Sequence, residues 1–294
     1  MIKQCFTTLI GLALAGGISI THASDLVVGG KNFTEQQIIA SMTSQYLEGL
    51  GYQVDTRAGM GSAVLRQAQE NGQIDLYWEY TGTSLINFNG ISERLGPEET
   101  YATVKELDAE KGLVWLEPSA ANNTYALAMR AGVAEERGIH SLSDLARAVN
   151  DGEALSFALN AEFYARDDGW RPLQEAYGFE VGRRDVNRMD SGLVYQALRD
   201  GQVDVGLVFA TDGRIPAFAF KVLEDDQNFF PAYALTPVVR QETLLAFPSL
   251  EDQMNDLSSL LDDDVMADLN AQVDVRRKSV EEVAKTFLEE HGLL

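Results

Sequence analysis

Two basic side chains in this 294-residue sequence stand where they could bind an anion. Lys31 follows a predicted strand and precedes a predicted helix, whose first N–H groups are free and whose dipole is positive at that end. Asn32 or Thr34 could cap this helix. Arg166 follows a later predicted strand, lies just before Asp168-Gly169, and could approach the same point from another part of the fold. The pattern indicates a site for an anionic group, although either residue could instead form a surface salt bridge.

Aromatic and hydroxyl side chains are concentrated in residues 75–84, DLYWEYTGTS. The three aromatic residues favour a strand, Gly82 allows a tight turn, and the hydroxyls around it could cap a helix over residues 85–88. The ring face of Tyr80 could contact a cation or an apolar group. Aromatic residues on strands are more often core residues, so support for a site must come from elsewhere. Further aromatics end or flank predicted strands at Tyr125, Phe209 and Tyr233.

The sequence offers little for catalysis. Of three histidines, His22 lies in a predicted leader, His140 precedes a Ser-x-x-Asp capping pattern and His291 is close to the C-terminus. We find no GxSxG, HExxH, phosphate-loop or dinucleotide-binding motif. The single cysteine, Cys5, also lies in the predicted leader, so the mature chain has no thiol. We expect a protein that is not an enzyme and has no cofactor and no metal.

Residues 1–23 have the pattern of a cleavable signal peptide. Lys3 supplies a positive start, an apolar segment follows, and small residues precede cleavage after Ala23. The formal net charge is −22, and it becomes −23 without the leader, which holds one basic and no acidic residue. Such a charge repels nucleic acid and anionic lipid headgroups. We therefore expect an exported protein that does not bind nucleic acid.

Strand-like and helix-like segments alternate along the mature chain. In the predicted helix 34–50, Ile38, Ile39, Met42 and Leu47 are spaced for one buried face. The first 80 residues give a βαβαβ pattern, which predicts a mainly parallel sheet with ligand-facing loops at the carboxyl ends of its strands. The pattern restarts after residue 130, and the C-terminal residues are mostly helical. The order predicts an α/β protein of two lobes, with the second inserted into the first.

Several segments resemble the substrate-binding proteins of ABC transporters for quaternary amines, the glycine betaine/choline (OpuAC-like) family in its OsmF/ProX branch. The resemblance covers nearly the whole mature chain in the right order. The matching segments are GKNFTEQ (30–36), DLYWEYTGT (75–83), MD and the residues after it (189–204), TDGRI (211–215), FPAY (230–233) and TPVVR (236–240).

The resemblance implies a two-lobe, type II periplasmic-binding fold with the ligand in the cleft between the lobes. We expect residues 24–128 and 233–294 to form lobe I and residues 129–232 to form lobe II. It also implies an aromatic box for a quaternary ammonium group and a basic clamp for a carboxylate. Carried over by motif, the box is Tyr80, Tyr125, Phe209 and Tyr233, and the clamp is Lys31, Thr83 and Arg166.

The function that the resemblance implies is that of a periplasmic, monomeric receptor. It would deliver a small quaternary amine to an ABC transporter permease in the inner membrane. Lys31 and Arg166 favour a betaine over choline, which has no carboxylate. Choline, carnitine, ectoine or an amino acid is an alternative ligand, and a sensory protein that uses the same cleft is an alternative function.

The chain departs from the family pattern at two positions. Phe209 stands before the Thr-Asp-Gly motif, where relatives usually carry tyrosine, so a ring is kept and a hydroxyl is lost. Trp78 stands before Glu79, where proline is frequent in relatives, and we expect it to alter the floor of the cleft.

Overall fold

The computed structural model describes residues 26–294, so the predicted signal peptide lies outside the described residues. The first part of the chain alternates strands and helices in the predicted order. Its elements are β1 (Leu26–Lys31), α1 (Thr34–Gly49), β2 (Val54–Met60), α2 (Ser62–Glu70), β3 (Leu76–Tyr80), α3 (Thr81–Thr83) with a π-helical turn (Ser84–Phe88), α4 (Pro97–Ala109) and β4 (Leu113–Trp115).

The middle of the chain forms a second unit of the same kind. It consists of β5 (Tyr125–Arg130), α5 (Ala131–Arg137), α6 (Leu142–Asn150), β6 (Phe157–Leu159), α7 (Ala161–Ala165), α8 (Trp170–Tyr177), a short 3₁₀ turn (Arg183–Asp185), β7 (Val186–Arg188), α9 (Ser191–Arg199), β8 (Val205–Phe209), α10 (Arg214–Ala217) and β9 (Phe220–Val222). The C-terminal part adds β10 (Leu235–Arg240), α11 (Gln241–Ala246), α12 (Leu250–Ser258), α13 (Asp263–Asp274) and α14 (Val280–Glu290).

The strands form two five-stranded sheets, in the orders β2-β1-β3-β10-β4 and β7-β6-β8-β5-β9. In the first sheet β1 is parallel to β2 and β3, as the βαβ pattern predicts, whereas β10 is antiparallel to its neighbours. The second sheet repeats this arrangement, because β6 is parallel to β7 and β8 and β5 is antiparallel to β8 and β9. Two lobes of matching architecture result.

The sheet topology corrects one predicted boundary. Strand β5 belongs to the second sheet, so a boundary between residues 128 and 129 would divide this strand. The chain instead passes from the first sheet to the second over residues 116–124, and it returns over residues 223–234. The first crossing is hydrogen-bonded to the second and to the start of β10, with Asn123 N donating to Tyr233 O (3.1 Å) and Leu235 N donating to Ala121 O (2.9 Å).

Apolar spacing explains how α1 packs on the first sheet. Ile38, Ile39, Met42 and Leu47, four residues of one helix face, are at most 1% exposed and belong to the main hydrophobic core. Because burial of such side chains stabilises a helix more than its intrinsic propensity does, this face fixes the orientation of α1. The helix therefore presents its N-terminal turn to the cleft.

Candidate functional site

A cavity of about 540 Å³ lies between the two lobes. All seven residues of the predicted box and clamp line it, although they come from segments up to 202 positions apart in the sequence. From the first lobe come Lys31, Tyr80 and Thr83, from the crossing before β10 comes Tyr233, and from the second lobe come Tyr125, Arg166 and Phe209. The structure thus brings the predicted site residues together in the cleft.

The rings of the predicted box pack against one another. Tyr125 lies 5.3 Å from Phe209 and 5.8 Å from Tyr233, centroid to centroid, and meets the ring of Tyr233 edge-on. Phe33 is a ring that the sequence analysis did not assign to the box. It stacks on Phe209 at 5.0 Å and on Tyr80 at 6.2 Å, and so joins the two lobes. The sequence could have indicated this role, since Phe33 lies in the family-like segment 30–36.

Lys31 is buried and paired with a carboxylate. Its Nζ lies 2.5 Å from Oε1 of Glu79, which is fully buried, and 5.0 Å from the centroid of the Tyr80 ring. The carboxylate of Glu79 therefore compensates the charge of Lys31. An ammonium has three N–H donors, so the pair still leaves N–H groups of Lys31 for a ligand.

Arg166 follows the short helix α7, and not a strand as the sequence predicts. Its guanidinium binds Asp168 through two hydrogen bonds of 2.6 Å, and it donates to Glu162 (3.0 Å) and to Thr83 in the other lobe (3.1 Å). It also lies 5.2 Å from the ring centroid of Tyr125. Two carboxylates thus hold Arg166 beside the box.

The environment of Asp168 shifts its titration. Burial alone raises the pKa of this carboxyl, but the hydrogen bonds and charge of Arg166 outweigh it and hold the pKa below its usual range. Tyr233 donates its hydroxyl to Asp168 (2.6 Å), and Asn87 donates its amide (3.1 Å). Asp168 therefore stays ionised and orients both a box ring and the predicted clamp arginine.

Glu35 is a buried carboxylate in the cavity lining that the sequence did not indicate. Its oxygens accept hydrogen bonds from Tyr80 (2.8 Å), Asn123 (2.8 Å), Asn270 (3.1 Å) and the hydroxyl of Thr211. Burial raises the pKa of Glu35, and these four donors oppose that rise. Thr211 follows β8 in the second lobe, whereas Glu35 and Tyr80 belong to the first. Glu35 therefore connects the two lobes next to the hydroxyl of Tyr80.

The helix caps predicted at residues 32–34 and 81–84 are absent, whereas the capping pattern after His140 forms as a capping box of Ser141 and Asp144. Helix α1 starts after Phe33, which makes no side-chain capping bond, and Thr34 donates its hydroxyl to Asp274 (3.0 Å) instead. Helix α3 likewise begins after Tyr80 without a side-chain cap. The first N–H groups of α1 consequently lack a side-chain cap at the cavity wall.

Two residues of the aromatic stretch have roles other than those predicted. Trp78 is fully buried, donates its indole N–H to Thr43 (2.9 Å) and does not line the cavity, so it does not form the cleft floor. Gly82 lies in α3 and not in a tight turn. A Cβ there would lie 2.7 Å from Ala232 O and 2.9 Å from the ring of Tyr233. Glycine is therefore needed for the close approach of the crossing that carries Tyr233.

Within residues 26–294, no group of three or more His, Cys, Asp or Glu side chains could hold a metal ion. In the same part of the chain, no helix has the length and apolar character to cross a membrane.

Comparison with known proteins identifies the class of this chain. Residues 24–290 match the family described as the substrate-binding domain of the ABC-type glycine betaine transport system. The chain is 45% identical to a glycine-betaine-binding protein of Pseudomonas aeruginosa over 100% of its own length and 96% of that protein. It is 31% identical to the glycine betaine-binding protein YehZ of Escherichia coli, with 99% and 98% covered.

A solved structure is also similar. A crystal structure of a glycine betaine/carnitine/choline ABC transporter protein superposes with a TM-score of 0.73 and 28% identity, over 91% of this chain and 99% of that one.

The chain belongs to the OpuAC family of substrate-binding proteins. Members of this family are transport proteins and not enzymes, they take a small-molecule ligand to a membrane permease, and they act in the periplasm or outside the cell. The predicted family, the two-lobe α/β binding-protein fold and the non-enzymatic function are thereby confirmed.

Proposed function

We propose that this protein is the receptor of an ABC importer for a betaine-type quaternary ammonium osmolyte, and that the ligand binds in the cavity between the lobes. The observation that carries the proposal is the meeting of four predicted box rings and three predicted clamp residues in one cavity of about 540 Å³. A betaine needs both kinds of surface, because it has a cation that cannot donate a hydrogen bond at one end and a carboxylate at the other.

The aromatic cluster suits the cation. A trimethylammonium group has no N–H, so ring faces stabilise it in place of hydrogen bonds, by roughly 0.5–2 kcal/mol for each well-placed ring. Tyr80 and Tyr233 donate their hydroxyls to the carboxylates of Glu35 and Asp168. These buried negative charges behind the rings add attraction for a cation.

The clamp suits the carboxylate through its remaining donors. Lys31 uses one N–H for Glu79, and the hydroxyl of Thr83 accepts from Arg166 and keeps its own O–H for a ligand. Hydrogen bonds from charged donors to a carboxylate are worth about 1.5–3 kcal/mol. Choline would leave these donors unsatisfied, so a betaine is favoured over choline, and carnitine remains an alternative with the same two groups.

We further propose that residues 1–23 are removed on export, that the mature protein works as a monomer in the periplasm, and that its partner is a permease of the inner membrane. The support is the leader-like sequence at residues 1–23 and the family of the chain.

Calorimetry on the mature protein, residues 24–294, tests the proposed ligand class. The ligands are glycine betaine, proline betaine, carnitine, choline, ectoine and proline. We expect a betaine to bind more tightly than choline, and ectoine and proline to bind weakly or not at all. The proposal fails if no trimethylammonium compound binds, or if proline or ectoine binds more tightly than every betaine.

A further inference from the structure

Four basic residues line the cavity, and they differ in whether a carboxylate compensates them. Lys31 is paired with Glu79 and Arg166 with Asp168 and Glu162. The third, Arg214, binds Asp212 (2.5 Å) and Asp274 (3.1 Å). The fourth, Arg188, has no carboxylate partner among the described residues. Its positive charge is thus the uncompensated one on the cavity wall.

Arg188 is held at the rim of the cavity by its strand and by an aromatic ring. It is the last residue of β7, where it lies opposite Leu159 of β6, and its guanidinium lies 4.9 Å from the ring centroid of Tyr164. Its side chain is exposed, so its N–H groups are accessible. Asp190 also lines the cavity here, at the N-cap of α9, but makes no ion pair with Arg188.

Two polar residues of the cavity lie close to Arg188 in the fold, because Asn160 follows its strand partner Leu159 and Ser191 follows Arg188 by three positions. Asn160 follows β6, is buried, and donates its amide to the hydroxyl of Ser191 (3.1 Å), the first residue of α9. Both residues line the cavity. This side of the cavity, formed by Asn160, Arg188 and Ser191, is called the polar annex below. It contrasts with the aromatic side formed by the box.

The sheet order sets the distance between the annex and the box. Strand β7 is two strands away from β8, which ends in Phe209, and three away from β5, which starts with Tyr125. Strands in a sheet lie about 4.8 Å apart, and Phe209 lies two residues beyond the β8 position that is level with Arg188, so the two backbones are roughly 12 Å apart. Arg166, by contrast, lies directly over the Tyr125 ring. A carboxylate next to the ammonium group would meet Arg166, and a more distant one would approach Arg188.

We propose, on the basis of the proposed function, that Arg188 is a specificity-determining residue. It binds the carboxylate of those betaines in which a longer chain separates this group from the trimethylammonium group. The cavity has room for such a ligand, because about 540 Å³ lies within the range of sites that hold drug-sized molecules. The annex thereby widens the ligand range beyond glycine betaine.

Calorimetry with two ligands of different length tests this role. One is glycine betaine, and the other is 4-(trimethylammonio)butanoate, which has three methylene groups between its charges. Arg188→Ala should weaken the longer ligand about tenfold and change glycine betaine less than threefold. The control is Arg184→Ala, which removes the same charge from an exposed arginine outside the cavity and should change neither affinity.

Each other outcome overturns the inference in a recognisable way. If glycine betaine binds and the longer ligand does not bind the parent protein, or if Arg188→Ala and Arg184→Ala have equal effects, the role of Arg188 is refuted and the proposed function stands. If Arg188→Ala weakens both ligands equally, Arg188 is a general contact and does not discriminate by length. If neither ligand binds the parent protein, the inference is refuted, and the proposed function fails with it when no other trimethylammonium compound binds either.

Discussion

The ring of Phe209 can contribute both to ligand binding and to the stability of the fold. It stacks on Phe33, packs against the tilted ring of Tyr125, is 8% exposed, and lines the cavity. Only its face can contact a cation, because phenylalanine has no hydroxyl. Its ring also packs the aromatic cluster, so binding and stability must be measured separately.

We expect Phe209→Tyr to keep the affinity for glycine betaine within about tenfold, since one added hydrogen bond contributes roughly 0.5–1.5 kcal/mol. Phe209→Ala removes the ring face and the surface around the methyl groups, so a loss of about 2–4 kcal/mol in binding is expected. Calorimetry and thermal unfolding on both variants give the two quantities. A folded Phe209→Ala protein with parental affinity and a lowered melting temperature would make Phe209 a core residue only.

A second prediction concerns Arg166 and compares two ligands, one with a carboxylate and one without. Arg166→Ala removes a donor and leaves Asp168 and Glu162 without their cation, so the cavity becomes more negative. Glycine betaine should bind about tenfold to a hundredfold more weakly. Choline, which has only the positive group, should bind as well as before or more tightly.

The matched control for this variant is Arg171→Ala, which breaks an exposed ion pair with Glu175 outside the cavity. It should leave both affinities unchanged, because exposed pairs contribute little. Equal losses of betaine and choline in Arg166→Ala would remove this residue from the clamp.

Side-chain pairing is the part of the site that the sequence could not predict. The family-like segments name Lys31 and Arg166, but nothing near Lys31 in sequence indicates its partner Glu79, which is 48 positions away. The four donors around Glu35 likewise come from distant segments. Such partners depend on how the elements pack, which local spacing does not encode.

At the scale of elements, the contacts between α1 and the segment after β8 connect the lobes. Thr211 follows β8 and donates its hydroxyl to Glu35 in the first turn of α1, and Asn270 of α13 donates to Glu35 and to Thr211 O (3.0 Å). The two bonds made by Thr211 exist only where the lobes meet. They should therefore stabilise the conformation in which the cleft is closed, whatever the ligand.

Thr211→Val should weaken glycine betaine and choline by the same factor, about tenfold, because it removes a hydrogen bond to a carboxylate without changing side-chain size. The control is Thr43→Val, which removes the acceptor for the Trp78 indole N–H inside one lobe. That variant should lower the melting temperature and leave both affinities unchanged. A changed ratio of the two affinities in Thr211→Val would mean that Thr211 contacts the ligand itself.

The apolar periodicity of the sequence predicted which helices and strands occur more accurately than it predicted their boundaries and caps. The helix predicted over residues 34–50 is found over Thr34–Gly49, because its apolar residues are regularly spaced and Gly51 follows it. The predicted lobe boundary divided strand β5, since an isolated apolar run does not show which sheet it joins. The cap positions also differ, because the hydroxyls near α1 and α3 find partners in other elements.

At the scale of the whole molecule, two lobes joined by two crossings suit opening and closing about those crossings. The crossings pair through Asn122 and Ala234, and Gly82 allows the second one to pack closely. Because the predicted site residues come from both lobes, a ligand that contacts all of them favours the closed form.

Small-angle scattering of the mature protein measures this closure. The radius of gyration should fall when saturating glycine betaine is added, because ligand contacts to both lobes select the closed form. Proline, at the same concentration, is the control and should leave it unchanged. Proven binding of glycine betaine with no change in the radius of gyration would contradict closure by the ligand.

The central claim is that the cavity recognises the positive charge of a trimethylammonium group by aromatic faces. Competition calorimetry of glycine betaine against 3,3-dimethylbutanoate tests it most directly, because the second compound has the same shape and carboxylate but a neutral carbon in place of nitrogen. We predict that the neutral compound binds the mature protein at least about tenfold more weakly. Equal or tighter binding of the neutral compound would contradict a cation box.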